Sequence, residues 1–571
     1  MAHVQESIDL LPRWQRLNSI ELINSRVAAI PGKGFGLVAL NDGLQASRLT
    51  AEDVSDNSGH DSRSPLIFVP ADLVLHAEAV KEYAKQDRNF HLLLDAAGHR
   101  GTRGNILLFL IVQLVVSSRQ PGEDRAALPT PWTDYVRFLP ADVPLPTMWT
   151  DAELHLLQGT SLESAVRAKL LALEREFGQL RERSSAIPFW DAALWNRKSP
   201  LQLQDWILVD AWYRSRCLEL PQLGASMVPC IDMANHSCTP NAYYEDRTAV
   251  PAGRADAGVV LLLRPGQHVA ALDEITISYT GSKADGMSVD GGVKPASEML
   301  FSYGFIDPDS VRHSLVLSVQ PFPDDPLGEA KRHIFGGPAP CLEIEHLDVD
   351  GGKDSDSDSD SGELNSQLPA RIRWTCPFAY LMCVNEEDGL NFRLRQQTDG
   401  SKQLRMFWQD NDVTDSAREF EALTGTHELA PLFRLRVVTV LQEMIEAQLE
   451  CMQAAGGDQM KDDSDDGDED EVMEAEYEGG QPSHGPQDNK SDSENDGNDE
   501  NDTDMADGNI SLGVVRNSVA EQAAILRDIE SKILSSALET LEAERSDLLL
   551  NSTVLAYLVS MEIPQNDLVD E

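Results

Sequence analysis

Three short segments, far apart along a chain of 571 residues, constrain its fold more than anything else in it. The first is Val228-Pro-Cys-Ile-Asp-Met-Ala-Asn-His-Ser-Cys-Thr-Pro-Asn241, an apolar run that breaks into the polar turn Asn235-His236-Ser237. About forty residues later, Glu274-Ile-Thr-Ile-Ser-Tyr279 reads as a β-strand ending in a tyrosine. The third, Ser302-Tyr303-Gly304-Phe305, places a second tyrosine in an apolar-aromatic cluster. A lone buried tyrosine is ordinarily core; two at fixed stations after a polar turn ask for a further explanation.

The chain exceeds what one hydrophobic core normally serves, so two or more domains are expected. Residues 20–40 carry β-type content broken by Gly32, Gly34 and Gly36, the pattern of strand, glycine turn and strand. Residues 53–64 read as a polar loop. Apolar steps of three and four then predict helices over 73–86, 104–118, 151–182 and 201–220, with Pro129, Pro131, Pro140, Pro144 and Pro146 keeping the connection between the second and third extended. The run Ile106 to Val116 is too short to span a bilayer and is expected to be a buried helix. Strand-like segments return over 225–306. The order β, helices, β points to one β-rich domain whose halves are separated by inserted helices. After about 310, helical faces recur at Leu435, Val438, Leu441, Met444 or Ile445 and Leu449, and at Ile525, Ile529, Ile533 and Ala537.

Charge is uneven. The formal net charge is −48, and the segments 461–509 and 348–363 carry 24 of those negative charges between them. Few aromatic or branched residues interrupt either tract, so neither can offset its ordering entropy and both are expected to be disordered. The serines of the Asp-Ser repeat at 354–361 look like casein-kinase-2-type phosphorylation sites. The rest of the chain is acidic as well. That disfavours nucleic acid and anionic lipid and suits a basic protein partner, although acidity also serves solubility alone. Seven cysteines, an odd number without a Cys-x-x-Cys pair, indicate reduced thiols in a cytosolic or nuclear protein. The first ten residues lack the basic flank and apolar core of a signal peptide. Asn235-His236-Ser237-Cys238 offers one His and one Cys with no second pair, so no metal is expected. Pro31-Gly-Lys-Gly-Phe-Gly36 lets the backbone approach a ligand, but it precedes a strand rather than a helix, unlike a phosphate-binding loop.

Together these segments resemble the SET-domain protein methyltransferases. Asp232-Met-Ala-Asn235-His236 matches that family's Asp-x-x-Asn-His form. Pro131-Trp-Thr-Asp-Tyr-Val-Arg-Phe-Leu-Pro140, Pro146-Thr-Met-Trp149, Glu153-Leu-His-Leu-Leu-Gln-Gly-Thr160 and Ala524 to Leu534 are similar to signatures of its Rubisco large-subunit methyltransferase-like branch, which includes fungal ribosomal-protein lysine methyltransferases. The chain also lacks the zinc-binding cysteine cluster that follows the domain in chromatin-type members. The resemblance implies an α+β fold: a SET domain over 15–310 with a helical insertion at about 75–215, and a connection over 311–345. A mainly helical C-terminal substrate-binding domain over 367–454 and 511–565 would follow, interrupted by acidic inserts at 346–366 and 455–510. The glycine-rich stretch 281–294, longer than the branch usually carries, reads as an adjustable lip or a surface loop.

The same resemblance implies S-adenosyl-L-methionine as cofactor. It would be contacted by the backbone of Lys33, Gly34 and Phe35, by Asp232, Asn235 and His236, by Tyr279, and by Arg216 in preference to Arg214. Tyr279 would orient the target nitrogen and Tyr303 would pack the channel wall. The implied activity is protein-lysine N-methylation of a basic protein, a ribosomal protein among the candidates, by a monomer. The alternatives are protein-histidine N-methylation and a non-catalytic, cofactor-binding scaffold for basic proteins. Deleting 461–509 is expected to leave a single cooperative melting transition, measured by calorimetry; its collapse would show that the tract belongs to the folded core.

Overall fold

The computed structural model describes residues 3, 5–40, 44–45, 65–97, 101–118, 127–247, 257–279, 294–307, 313–347, 371–396, 401–457 and 515–562. The loop expected at 53–64 lies outside them. So do the stretch 281–294 apart from Lys294, and the acidic inserts apart from His346, Leu347 and 455–457.

The glycine turn builds a hairpin, Ser25–Ile30 against Gly34–Ala39. Gly32 and Gly34 hold φ of +75° and +79° there, values that residues with a Cβ seldom adopt. Gly34–Ala39 pairs antiparallel with Glu274–Ile277, which pairs in parallel with Asn235–His236 to complete a four-stranded sheet. A second, antiparallel sheet runs Glu21–Leu22, Pro65–Pro70, Gly258–Leu263, Ala242–Asp246. Gly258–Leu263, apolar at every position but its glycine, is buried along its whole length.

Among the described residues between Pro70 and Cys217 the regular elements are helices. Gly101–Ser117 is buried almost all round, as its continuous apolar run requires. Leu203–Arg216 crosses behind it and is buried from Asp205 to Trp212. The helix expected over 151–182 is two, Asp151–His155 and Ser161–Ser185, because the turn between them holds Gly159 at φ +76°. The helix expected to reach 220 ends at Arg216; Cys217–Leu220 forms a hairpin with Gly224–Met227 instead.

The described residues after 310 are mainly helical but also hold two sheets that the helical periodicity did not suggest. Ser314–Ser318, Cys341–Leu347 and Arg371–Thr375 form one antiparallel sheet, and Leu390–Gln396, Lys402–Trp408 and Asn411–Asp412 another. The supposed connection over 311–345 therefore holds strands and the helix Gly328–Phe335. Leu315 and Leu317 are buried while Val316 is exposed, a period of two that a search for helical faces passes over. The two expected long helices are present as Ala430–Gly457 and Asn517–Leu549, packed along each other through Val438, Leu441 and Ile445 and through Ile529, Ile533 and Ala537.

These helices dock on the turn around Gly159. A Cβ at Gly159 would lie 2.8 Å from the Met452 backbone nitrogen, so only glycine admits the contact. Arg527 donates to the carbonyls of Met452, Leu156 and Gln158. Glu153, fully buried, closes a capping box with Thr150 and accepts from Arg516 through Nε at 2.8 Å, Nη2 at 3.0 Å and the backbone N–H at 3.1 Å. Burial raises the Glu153 pKa, but the Arg516 and Thr150 hydrogen bonds outweigh it and hold the group at about 2. A depressed carboxylate contributes stability above its unfolded pKa, lost as pH falls through the folded one. The melting-temperature gap between the native chain and Glu153→Gln is accordingly expected to narrow as pH falls from about 4.5 toward about 2; a gap independent of pH would deny the ion pair its role.

Candidate functional site

The parallel pairing sets Thr276 opposite Asn235 and Ile277 opposite His236. Ser237 N–H extends it to the Ile277 carbonyl at 3.0 Å. Tyr279 thereby comes to rest beside the turn that precedes Asn235. Its hydroxyl donates to the Ala234 carbonyl at 2.9 Å, and its N–H donates to His236 Nδ1 at 3.1 Å. Burial lowers the His236 pKa, which suits a neutral ring accepting at Nδ1. Burial likewise raises the Tyr279 pKa, with Arg216 opposing, so the phenol keeps its proton.

A cavity of about 340 Å3 opens against this tyrosine. Arg216, Asp232, Ala234, Ile277, Tyr279 and Tyr303 contribute to its wall. Tyr303 ends the helix Ala296–Tyr303, where Gly304 takes φ +83° and a Cβ would meet the Pro144 carbonyl oxygen at 2.7 Å. The Tyr303 hydroxyl donates to the Tyr279 carbonyl at 3.3 Å, and the two rings stand 4.7 Å apart. Burial, then Glu298, pushes the Tyr303 phenol up to about 12. His236 and Phe305 extend the aromatic cluster, with centroids 6.0 Å apart.

Arg216 is the last residue of its helix, and its Nη1 donates to the Asp232 carbonyl at 3.0 Å and stands 3.6 Å from Asp232 Oδ2. Arg216 Nε and Asp232 Oδ2 are buried without a hydrogen-bond partner. Arg214 has a different place: it donates to Asp210, Thr147 and the Phe301 carbonyl and does not line the cavity.

The remaining expected residues gather on the other side of Tyr279. Asn235 Nδ2 donates to Glu274 Oε1 at 2.7 Å, and Lys33 Nζ reaches Glu274 Oε2 at 2.9 Å. Around Gly34 a Cβ would meet open space. Lys33, Gly34, Phe35, Asn235 and His236 thus do not line the cavity; Lys33 and Asn235 meet at Glu274, and His236 touches Tyr279. Sequence reasoning gave no role to Glu274, which links Asn235 to the glycine turn. Nor did it find Asn241, whose amide caps Glu274 O at 2.8 Å and Thr276 N at 2.9 Å. Nothing in the local pattern marks either; their partners are remote in sequence.

The fold built by these converging segments is that of a SET domain. In sequence the chain is 28% identical over 321 residues to SET domain-containing protein 8 of Schizosaccharomyces pombe, covering 56% of this chain and 62% of that protein. It is 26% identical over 343 residues to the chloroplastic ribulose-1,5 bisphosphate carboxylase/oxygenase large subunit N-methyltransferase of Pisum sativum, covering 56% and 57%. In structure it is similar to the SET domain of LSMT bound to lysine and AdoHcy, with a TM-score of 0.56 at 16% identity over 98% of this chain and 96% of that one. No protein-family model matches the chain. The chain spans about three fifths of the length of the curated relatives it matches.

Gly36 faces Asn235: a Cβ there would lie 2.7 Å from both Asn235 Nδ2 and Ile30 Cγ1. Gly36→Ala is expected to destabilise the chain by about 1–3 kcal/mol, the usual cost of overpacking, read as a lower urea midpoint at unchanged slope; an unchanged midpoint would show that Asn235 has room to move.

Proposed function

We propose that the chain is an S-adenosyl-L-methionine-dependent protein-lysine N-methyltransferase. The observation that carries this reading is the convergence of Tyr279, Arg216 and Asp232 on one cavity from three separate parts of the chain. Arg216 Nε and Asp232 Oδ2 are a donor and an acceptor, both buried and, among the described residues, without a hydrogen bond, although Oδ2 keeps its 3.6 Å ion-pair contact with Arg216 Nη1. Such a pair complements the zwitterionic amino-acid end of the cofactor. Asn235, His236 and the backbone of Lys33, Gly34 and Phe35 would serve its remainder. When bound, the cofactor supplies an electrophilic methyl group on a sulfonium.

The chain's own residues then have to deliver a neutral amine in line. A lysine in water has a pKa of about 10.4, and a cavity walled by Tyr279 and Tyr303 disfavours its charged form. Tyr279 cannot serve as a base, because its proton is held by burial and given to the Ala234 carbonyl. What it offers is acceptor lone pairs at a fixed point, which orient the amine; alignment is most of what such a displacement requires. Tyr303, hydrogen-bonded to the Tyr279 carbonyl, holds that point in place.

A basic protein partner, such as a ribosomal protein, fits the formal net charge of −48 and the exposed Glu219 at the cavity wall. The sheets and helices after residue 313 would hold it. The seven free cysteines fit a cytosolic or nuclear setting.

The test is to incubate the purified chain and labelled cofactor with a cell extract, then map the label by mass spectrometry. Label on lysine is expected; label on histidine would overturn the choice of nucleophile, and no label despite cofactor binding would overturn the enzyme. Tyr279→Phe is expected to slow transfer about 100-fold or more while affinity for S-adenosylhomocysteine stays close to that of the native chain. Equal loss of both would contradict an orienting role.

A further inference from the structure

The turn that presents Asp232 is strained. Cys230, fully buried, sits at φ +70° and ψ −37°, a conformation that a residue with a Cβ adopts only when its surroundings impose it. One hydroxyl braces the turn, alongside Gln15 Nε2, which donates to Cys230 Sγ at 3.3 Å. Tyr135 Oη accepts the Cys230 N–H at 2.9 Å and donates to Asp232 Oδ1 at 2.5 Å, satisfying a donor and an acceptor two residues apart. Tyr135 is completely buried, so water cannot take its place, and its ring is fixed by Trp14 at 4.8 Å, Trp132 at 5.2 Å and Phe138 at 6.4 Å.

The clamped turn leads directly into the cavity wall. Asp232 gives its carbonyl to Arg216 Nη1 and leaves Oδ2 3.6 Å from that nitrogen, without a hydrogen bond among the described residues; two residues on, the Ala234 carbonyl takes the Tyr279 hydroxyl. Were Oδ1 released by Tyr135, the carboxylate could rotate from its 3.6 Å contact with Nη1 onto Arg216 Nε and occupy the edge that suits the carboxylate of an amino-acid zwitterion. Resting on the methyltransferase reading, we infer that Tyr135, from the helical segment between the two sheets, is a positioning residue that holds Asp232 away from Arg216 Nε and so keeps that guanidinium edge open for the cofactor. It touches neither cofactor nor substrate.

Tyr135→Phe keeps the ring and its packing and removes only the clamp. Titration calorimetry of the full chain with S-adenosylhomocysteine is expected to show affinity lowered about tenfold or more, as for loss of a buried hydrogen bond to a charged group. The decisive comparison repeats the substitution in an Arg216→Lys background, which retains charge but lacks the Nε edge. There Tyr135→Phe is expected to lower the melting temperature as before but to cause little further loss of affinity, because the two residues act in series. Affinity unchanged by Tyr135→Phe, or losses that multiply in the double variant, would overturn the inference and leave the methyltransferase reading standing. A native chain that does not bind S-adenosylhomocysteine would overturn both.

Discussion

Two hydrogen-bonded residue pairs, Thr276 with Asn235 and Ile277 with His236, carry the architecture of the site. Parallel strands need a long crossover between them. Here the crossover runs through Ala242–Asp246 and Gly258–Leu263, which belong to the other four-stranded sheet. A pairing of two residues is weak by itself, and it persists because its surroundings fix both partners. Asn241 caps the strand backbone, Glu274 is held by Asn235 and Lys33, and Gly36 is small enough to let Asn235 approach. Ala234 and Tyr279 lie just outside opposite ends of that pairing's reach, and their hydrogen bond closes the site.

Buried carboxylates organise the helical layers around it. Asp210, wholly buried, takes Arg103, Lys169 and Arg214, joining three helices at one point. Glu153 and Glu530 do the same between the inserted helices and those of the C-terminal region. Glu530 accepts the Ser161 N–H at 2.9 Å at the start of Ser161–Ser185, where burial raises its pKa to about 6 despite that bond. Charges removed from water are tolerated only when paired and hydrogen-bonded, so each such contact specifies one way of docking. It also explains why Arg214 and Arg216, two residues apart, do different work: the helix points the first at Asp210 and the second, at its end, at the cavity.

Much of the core of this fold was legible in the sequence. The glycine-broken hairpin, the buried run ending at Ser117 and the two long C-terminal helices follow from period and composition, which are local properties. The strands after residue 313 were missed because short alternating segments give a weak signal beside long helical ones. The break at Gly159 was missed although its glycine is a local signal; what no local pattern shows is that Met452, nearly three hundred residues away, leaves room for nothing larger there. At the site, Arg216, Asp232, Tyr279 and Tyr303 meet on one cavity, while Lys33, Gly34, Phe35, Asn235 and His236 lie outside its wall. Only the packing of distant segments divides them in that way.

By itself the sequence determined which segments bury themselves and which residues bring hydroxyl, guanidinium and carboxylate groups, because burial and side-chain chemistry are decided within a few residues. Tertiary structure alone decided which of those groups are left without partners. Glu274, Asn241 and Tyr135 acquire their parts, and Arg216 Nε stays without a hydrogen bond among the described residues, through contacts across tens of residues. An unsatisfied polar atom is a property of the space around it, and no local pattern encodes that space.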